Sequence, residues 1–286
     1  MVICSKRSPS MSENEFMSSE DINKVIDNVT ALASIKDIKS LKGEVSDEEW
    51  ELRVNLAALY RLVAMNGWDD MIYTHISARV PGPEHHFLIN PFGMLFDEIT
   101  ASSLVKVDME GNAVNESPFI VNPAGFTIHS ALHMAREDAQ CVIHLHTNDG
   151  VAVSAQKEGL LPLSQHAMIC WNRFAYHDYE GVALNLDERE RIVADLGDKQ
   201  LMILRNHGTL AIGRDCQTAY QAIFYLERAC SFQIRAMSGG TLNIPPQGTP
   251  DLSSSQSESI FNGLAGALAW PGLLRKLDKI DPSFKD

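Results

Sequence analysis

The sequence predicts one α/β domain over residues 46–240, because strand-like and helix-like segments are mixed along this whole stretch. Apolar residues recur at helical spacing from Asp47, and Leu201–Leu204 has the four consecutive apolar residues of a buried strand. Residues 1–45 are polar, mixed in charge and without sustained periodicity, which predicts a mobile N-terminal arm. Residues 241–286 are predicted to form a loop and then a C-terminal docking helix.

The individual elements follow from apolar spacing and from turn residues. Helices are predicted to begin at Asp47, Pro123, Asp187 and Cys216, with stops at Gly67, Gly197 and Gly239-Gly240. Strands are predicted at Met71–Ile76, Phe87–Asn90, Ser103–Asp108, Cys141–His146 and Leu201–Leu204. Residues 241–257 are rich in Pro, Gly, Ser and Gln, which indicates a loop, and Ile260–Leu277 is amphipathic.

Composition and charge exclude several classes of partner. The chain has 286 residues and a formal net charge of -13, which argues against binding nucleic acid through a broad basic surface. Its longest apolar stretches are too short to span a bilayer, so no membrane segment is expected. Polar residues follow Lys6 and Arg7 where a signal peptide needs an apolar core, so we expect a cytoplasmic protein.

The cysteines do not predict a disulfide framework or a cysteine-bound metal. Their number is odd, their spacing is wide and no CxxC pair occurs. They are Cys4, Cys141, Cys170, Cys216 and Cys230. Metal chemistry in this chain therefore depends on its histidines and carboxylates.

Three histidines at predicted strand ends suggest a divalent-metal site. His144 and His146 are two residues apart at the end of a predicted strand, so both imidazoles project from one face. His207 follows the strand Leu201–Leu204, and Gly208 allows a sharp turn beside a ligand. Three imidazoles match a catalytic zinc site with one open position. Hydrogen-bonded structural histidines are the alternative interpretation of this pattern.

Other histidines form weaker patterns. His129 and His133 are four apart on a predicted helix and share a face, but they lack the glutamate of an HExxH motif. His129 is interpreted as a pocket residue and His133 as structural. His85-His86 falls in a turn, and His166 and His177 fall in loop-like sequence.

Several motifs together resemble a known family. The sequence contains, in this order, Asn122–His129 (NPAGFTIH), Cys141–Thr147 (CVIHLHT), Tyr176–Gly181 (YHDYEG) and Leu204–Gly208 (LRNHG). Their order and content resemble class II aldolase/adducin proteins over roughly residues 48–240. Tyr73–Arg79 and Asn90–Gly93 resemble the substrate-side loops of that family. The candidate substrate-binding residues on these loops are His75, Ser77, Asn90 and Gly93.

The resemblance implies a fold, an assembly and a metal. It implies a three-layer α/β/α domain with a central, largely antiparallel sheet, in a cyclic homotetramer with active sites near subunit boundaries. The family aldolases use Zn²⁺ held by three histidines, which match His144, His146 and His207 here. In those aldolases the metal binds the hydroxyl and carbonyl oxygens of a small-molecule substrate, a ketose phosphate. It stabilises the enediolate that forms when the C–C bond breaks. Fe²⁺ and Mn²⁺ are alternatives, because imidazole suits several of these ions.

The chain also departs from the sugar-phosphate aldolases of this family. Those enzymes have an acid/base glutamate shortly before the helix histidine, and here the corresponding segment is Pro123-Ala124-Gly125-Phe126. The phosphate-binding Ser-Ser pair near this point is also missing. Cleavage of a phosphorylated sugar by the usual route is therefore not expected.

Two functional hypotheses remain. One is a metal-dependent lyase for a small hydroxy-carbonyl or keto-acid compound, in which Tyr176 and His129 are the candidate catalytic residues. The other is a non-catalytic assembly or binding module like the adducin head, which the Pro-Ala-Gly-Phe and Tyr-His-Asp-Tyr segments resemble more closely.

Overall fold

The computed structural model describes residues 38–115, 117, 119, 121–181 and 187–286, together with Asn23, Ile26 and Asp27. Most of the predicted N-terminal arm therefore lies outside the described residues. The helices are α1 (Asp47–Met65), α2 (Pro123–Ala135), α3 (Asn148–Ser154), α4 (Gln165–Cys170), α5 (Glu188–Leu196), α6 (Cys216–Met237), α7 (Thr249–Gln256) and α8 (Ala265–Ile280). The strands are β1 (His75–Arg79), β2 (Phe87–Ile89), β3 (Val105–Val107), β4 (Cys141–Leu145), β5 (Phe174–His177), β6 (Leu201–Leu204) and β7 (Gly208–Gly213).

The strands form one seven-stranded sheet in the order β3-β2-β1-β4-β7-β6-β5. Every neighbouring pair is antiparallel except β5 and β6. Helices α2 and α5 pack on one face, and α1, α3 and α6 pack on the other. The predicted three-layer α/β/α architecture with a largely antiparallel sheet is confirmed.

The side chains of β4 alternate between two apolar clusters, one on each face of the sheet. Ile143 and Leu145 belong to the larger cluster, which α1 and α6 cover. Val142 belongs to the smaller cluster with Ile128 of α2 and Ile192 of α5. Since His144 is two residues after Val142, its imidazole lies on the α2 side of the sheet.

The loop before β1 differs from the prediction. The predicted strand Met71–Ile76 begins only at His75, because Met71 and Thr74 have φ of 53° and 67°, in the left-handed region that an extended strand cannot contain. This bend places Asp70 beside the end of β4, where it contacts His146.

Four further elements lie in sequence that did not predict them. Strand β5 and helix α4 occupy stretches interpreted as loop around His177 and His166, and β7 begins directly after His207. Helix α7 lies inside the predicted loop 241–257. Its apolar periodicity is weak, but Gly248 in the left-handed region and Pro250 in its first turn favour a helix start there.

The C-terminal segment packs on α1 and on the loop before β3. The indole Nε1 of Trp270 donates to Asn55 Oδ1 at 2.7 Å, and Arg61 Nη1 lies 3.2 Å from Asp281 Oδ2. The backbone N–H of Ala101 donates to Phe284 O at 3.0 Å. The division of the chain at residues 45 and 240 stays a prediction. Among the described residues, no helix is long and apolar enough to cross a membrane.

Candidate metal centre

The structure brings His144, His146 and His207 together where β4 ends and β7 begins. Their ring centroids are 4.7 Å, 4.7 Å and 4.8 Å apart in the three pairs. One ligand nitrogen from each ring can be chosen so that all three lie within 4.8 Å of one another. Within the described part of the chain, this is the one group of three or more His, Cys, Asp or Glu side chains with metal-binding spacing.

Local backbone geometry explains why the three rings converge. Strand β4 pairs with β7 so that Leu145 lies opposite Thr209, which brings the turn before β7 beside the end of β4. A Cβ at position 208 would collide with the Leu145 carbonyl oxygen and approach His146 Cδ2 at 3.1 Å, so only glycine fits. Asn206, with φ of 56°, turns the chain from β6 to His207.

The hydrogen bonds of His144 and His146 determine which nitrogens are available to a metal. Nδ1 of His144 lies 3.0 Å from the Thr209 carbonyl oxygen, and Nδ1 of His146 lies 3.0 Å from Asp70 Oδ2. Both oxygens accept, so each Nδ1 donates, and Nε2 is the nitrogen of each ring that a metal would use. The two Nε2 atoms are 2.9 Å apart. Three imidazoles with this spacing are the donor set of a divalent-metal site, so the residues present fit such an ion.

Burial favours the neutral rings that bind metals. Burial, reinforced by the neighbouring imidazoles, holds the pKa of His144 well below its ordinary value. Burial, followed by His146 and His177, lowers the pKa of His207 to about 4. These rings are therefore unprotonated at neutral pH before any metal arrives.

Glu227 links the segment that follows β4 to strand β7, from the opposite face of the sheet. It lies on α6, is 2% exposed, and accepts hydrogen bonds from the hydroxyls of Thr147 and Thr209. Thr147 follows His146, and Thr209 is the residue whose carbonyl holds His144. Burial raises the pKa of Glu227 to about 7. The sequence indicated neither Asp70 nor Glu227, because their roles depend on loop geometry and on helix packing.

A second histidine group adjoins the metal centre on the α2 side. His75 on β1 pairs in register with His144, and its ring centroid lies 6.1 Å from that of His144 and 5.7 Å from that of His129. A Cβ built on Gly125 would lie 2.5 Å from His75 Cγ. The ring of His75 therefore occupies the space that a side chain at position 125 would need.

The other predicted substrate-side residues are engaged within the protein. The Ser77 hydroxyl is completely buried and lies 2.6 Å from His129 Nδ1 and 2.7 Å from His133 Nε2. The Asn90 side chain is hydrogen-bonded to Tyr60 at 2.9 Å. Gly93 has φ of 105°, a conformation that favours glycine, in the turn after β2. Ser77 reaches the metal centre only through His129.

The two tyrosines of the Tyr-His-Asp-Tyr segment lie in different surroundings. The Tyr176 hydroxyl accepts from the Leu160 N–H at 2.9 Å, and Arg205 lies 3.9 Å from its ring centroid. Within one chain, Tyr176 is not brought beside the three histidines, so its catalytic role stays a prediction. Tyr179 is half-exposed and its ring centroid lies 6.0 Å from that of His207. Tyr179 lies in the same motif as Tyr176 but was not predicted as a site residue.

Known proteins with similar sequences support the family. The family model described as class II aldolase and adducin N-terminal domain matches residues 54–234. A Caulobacter vibrioides protein named "Putative aldolase class 2 protein" is 62% identical over 249 residues, which are 86% of this chain and 96% of that protein. Alpha-adducin of Rattus norvegicus is 44% identical over 223 residues, which are 75% of this chain but 30% of the adducin.

Solved structures show the same fold. The aldolase II superfamily protein from Pseudomonas syringae is 54% identical, with a TM-score of 0.83 over 87% of this chain and all of that one. L-fuculose 1-phosphate aldolase from Glaciozyma antarctica is 26% identical, with a TM-score of 0.72 over 87% of this chain and 94% of that one. With its sheet topology and its ordered motifs, the chain belongs to the class II aldolase and adducin family.

Proposed function

We propose that this protein is a metal-dependent carbon–carbon lyase that acts on a small hydroxy-carbonyl or keto-acid compound, by aldol or decarboxylation chemistry. The main support is the convergence of His144, His146 and His207, whose ligand nitrogens lie within 4.8 Å of one another. Zn²⁺ is the expected ion, with Fe²⁺ or Mn²⁺ as alternatives.

The protein's own groups prepare the site for such chemistry. A bound divalent ion supplies a Lewis acid that stabilises negative charge on a substrate oxygen next to the bond that breaks. Asp70 and the Thr209 carbonyl orient the two β4 imidazoles. His75 and Tyr179 are the described polar rings nearest the three histidines, so they are placed to contact a substrate.

The chain lacks the usual acid/base at position 125, so other side chains must move the proton. Tyr179 is half-exposed beside His207 and is a candidate within one subunit. Tyr176 and His129 remain the candidates from the sequence, with Tyr176 acting across a subunit boundary. We expect a homotetramer, because the family resemblance implies sites near such boundaries, and sedimentation analysis checks this.

Turnover measurements test the enzyme directly. The zinc-, iron(II)- and manganese-loaded protein is assayed on a panel of hydroxy-carbonyl and keto-acid compounds, with and without phosphate groups. We expect a substrate without phosphate. We also expect His146→Ala to lose at least about 100-fold in kcat/KM, because even loss of an outer contact to a metal ligand typically costs about 10–100-fold and loss of a direct ligand costs more. His86→Ala is the matched control, because His86 lies at the turn end of the β1–β2 hairpin, away from His75 and the metal centre. This variant should keep full activity. Equal activity in the two variants would contradict the proposal.

An adducin-like assembly module is the second candidate. The observation that favours it is Gly125, which cannot transfer a proton, together with 44% identity to alpha-adducin over 223 residues. This candidate predicts no turnover with any metal and an oligomer that persists in His146→Ala. If the wild type shows turnover, and His146→Ala abolishes it without dissociating the oligomer, the assembly module is excluded.

A further inference from the structure

The segment that follows strand β5 places Tyr179 beside the metal centre. Its ring centroid lies 6.0 Å from that of His207, with an interplanar angle of 74°. The side chain is 51% exposed, and exposed side chains ordinarily change rotamer within nanoseconds. A contact that depended on this ring alone would therefore be short-lived. The residues on both sides of Tyr179, however, bind to helix α5.

His177, the last residue of β5, forms the first of these two anchors. It lies two residues after Ala175, which packs in the smaller apolar cluster, so its ring points toward α5. Its Nδ1 lies 2.7 Å from Asp195 Oδ2, and its Nε2 lies 3.4 Å from Glu188 Oε1. The ring is 4% exposed and lies between two carboxylates of one helix. The end of β5 is thereby fixed against α5.

Glu180 forms the second anchor, on the other side of Tyr179. Arg191 Nε donates to Glu180 Oε1 at 2.7 Å, and Nη2 of the same guanidinium donates to Oε2. This bidentate contact matches the planar geometry of both groups, and the hydrogen bond from Arg191 lowers the pKa of Glu180. Both side chains are partly exposed, so the pair contributes little to stability. Its main effect is on where the segment lies.

Both anchors bind one face of one helix, and that helix is fixed by the core. Glu188, Arg191 and Asp195 are three and four residues apart, so they share a face of α5. Ile192 and Leu196 of the same helix are each 1% exposed in the smaller apolar cluster. The anchors therefore connect the segment around Tyr179 to a rigid element.

We infer that α5, through these two anchors, holds Tyr179 against the His207 side of the metal centre, where its phenol contacts a bound substrate. Tyr179 is then the residue that touches the substrate, and the residues that bind its segment to α5 are positioning residues. These are His177, Glu180, Glu188, Arg191 and Asp195. The contact with a substrate rests on the proposed function, whereas the placement of the ring does not.

Fluorine-19 NMR of protein labelled with 3-fluorotyrosine tests this placement without requiring turnover. Signals of the zinc-loaded and the cobalt(II)-loaded protein are compared, and Tyr179 is assigned with Tyr179→Phe. Because Co²⁺ is paramagnetic, we expect it to shift the Tyr179 signal of the wild type. Asp195→Ala and Arg191→Glu should each reduce this shift, and together they should reduce it most. A signal that cobalt does not shift, or that shifts equally in the combined variant, overturns the inference.

A charge reversal and a matched control separate positioning from general damage to the fold. Arg191→Glu sets two carboxylates against each other, and adding Glu180→Arg restores opposite charges, so the shift should return. Glu190 is also an exposed carboxylate of α5, but it has no hydrogen bond or ion pair to the segment around Tyr179 among the described residues. Glu190→Gln should leave the shift unchanged. An equal reduction in Glu190→Gln, or no recovery in the charge-reversed pair, overturns the role of the anchors.

Turnover distinguishes this inference from the proposed function. On an active substrate, the combined Asp195→Ala and Arg191→Glu variant should lose about 10–100-fold in kcat/KM while binding zinc like the wild type, because a displaced contact group weakens catalysis. The expected fluorine shifts without any turnover would support the placement and contradict the lyase. Bound cobalt with no shift at Tyr179 overturns the placement alone, whereas a protein that takes up no cobalt contradicts both.

Discussion

The ring of His75 lies where a side chain at position 125 would have to lie, since a Cβ there would come within 2.5 Å of His75 Cγ. From the sequence, Gly125 indicates only that a glutamate is absent. The structure shows that the space is filled by another titratable ring, which is 5% exposed. Burial lowers the pKa of that ring to about 3, so it is neutral at physiological pH.

Gly125→Ala is expected to destabilise the protein by about 1–3 kcal/mol, because the added methyl overpacks a buried ring. Gly272→Ala is the matched control, since Gly272 also lies inside a helix but its Cβ would meet only Arg275 Nη2 at 3.7 Å. That change should stabilise by about 0.5–1 kcal/mol through helix propensity. Urea unfolding measures both. Equal effects of the two substitutions would contradict the assigned position of His75.

The three metal-binding histidines were easier to predict than the residues that hydrogen-bond to them. The three histidines stand out in the sequence because strand periodicity places His144 and His146 on one face. Asp70 and Thr209 hold the Nδ1 atoms of His146 and His144, yet they are 76 and 65 residues away from the rings they contact. No local pattern encodes contacts at such separations.

At the scale of elements, the site depends on how β4, β7 and α6 are joined. Glu227 of α6 accepts hydrogen bonds from the hydroxyls of Thr147 and Thr209. Thr147 directly follows His146, and Thr209 is two residues after His207. Its pKa is raised to about 7 by burial, above the ordinary value of 4.5. Between pH 4.5 and about 7, the folded protein therefore holds a proton on Glu227 that the unfolded chain does not hold.

Glu227→Gln, which imitates the protonated acid, should change how stability depends on pH. The stability that protonated Glu227 contributes is fully present below pH 4.5 and is lost as pH rises through about 7. Relative to the variant, the wild type should lose about 1.4 kcal/mol per pH unit in this window, or about 3 kcal/mol in all. Urea unfolding of the metal-free proteins at a series of pH values measures this. A difference in unfolding free energy that does not vary with pH would contradict the buried position of the carboxyl.

Elements with strong periodicity were predicted better than those defined by pairing. Helices α1 and α6 follow from apolar spacing and are stopped near glycines, as expected. Strand β7 was missed because it starts immediately after a turn at Asn206, with only three residues between it and β6. Its strand conformation depends on pairing with both β4 and β6, which the sequence alone does not express.

At the scale of the whole molecule, the C-terminal segment completes the layer that covers the larger apolar cluster. Trp270 is 5% exposed, packs against Tyr220 with ring centroids 6.2 Å apart, and donates to Asn55. Leu268, two residues earlier in the same helix, is 74% exposed. The family match ends at residue 234, so this segment lies beyond it.

Trp270→Ala should lower the free energy of unfolding by about 3–5 kcal/mol, because it removes a large buried side chain and leaves a cavity. Leu268→Ala, the matched control in the same helix, should change it by less than about 0.5 kcal/mol. Thermal or urea unfolding distinguishes them. If both variants unfold like the wild type, the segment does not pack on α1 and α6 as described.

The architecture and the family could be predicted from the sequence, because several ordered motifs resemble one family and the mixture of strands and helices fits its fold. The reaction could not. Gly125 and the missing Ser-Ser pair indicate only which chemistry the chain lacks. Which side chain fills the space beside position 125 depends on how β1 and α2 pack against each other. His75, Ser77 and His129 come from separate segments and meet only in the folded chain.

Zinc titration of the chelator-stripped protein, followed by anomalous diffraction at the zinc edge from its crystals, tests whether the three histidines bind a metal. We expect one ion per chain, bound by His144 Nε2, His146 Nε2 and His207 at about 2.0–2.1 Å. We also expect that His146→Ala loses this ion while His86→Ala keeps it. A wild-type protein that binds no zinc, iron(II) or manganese, or an anomalous peak away from these three rings, would contradict the proposed metal centre.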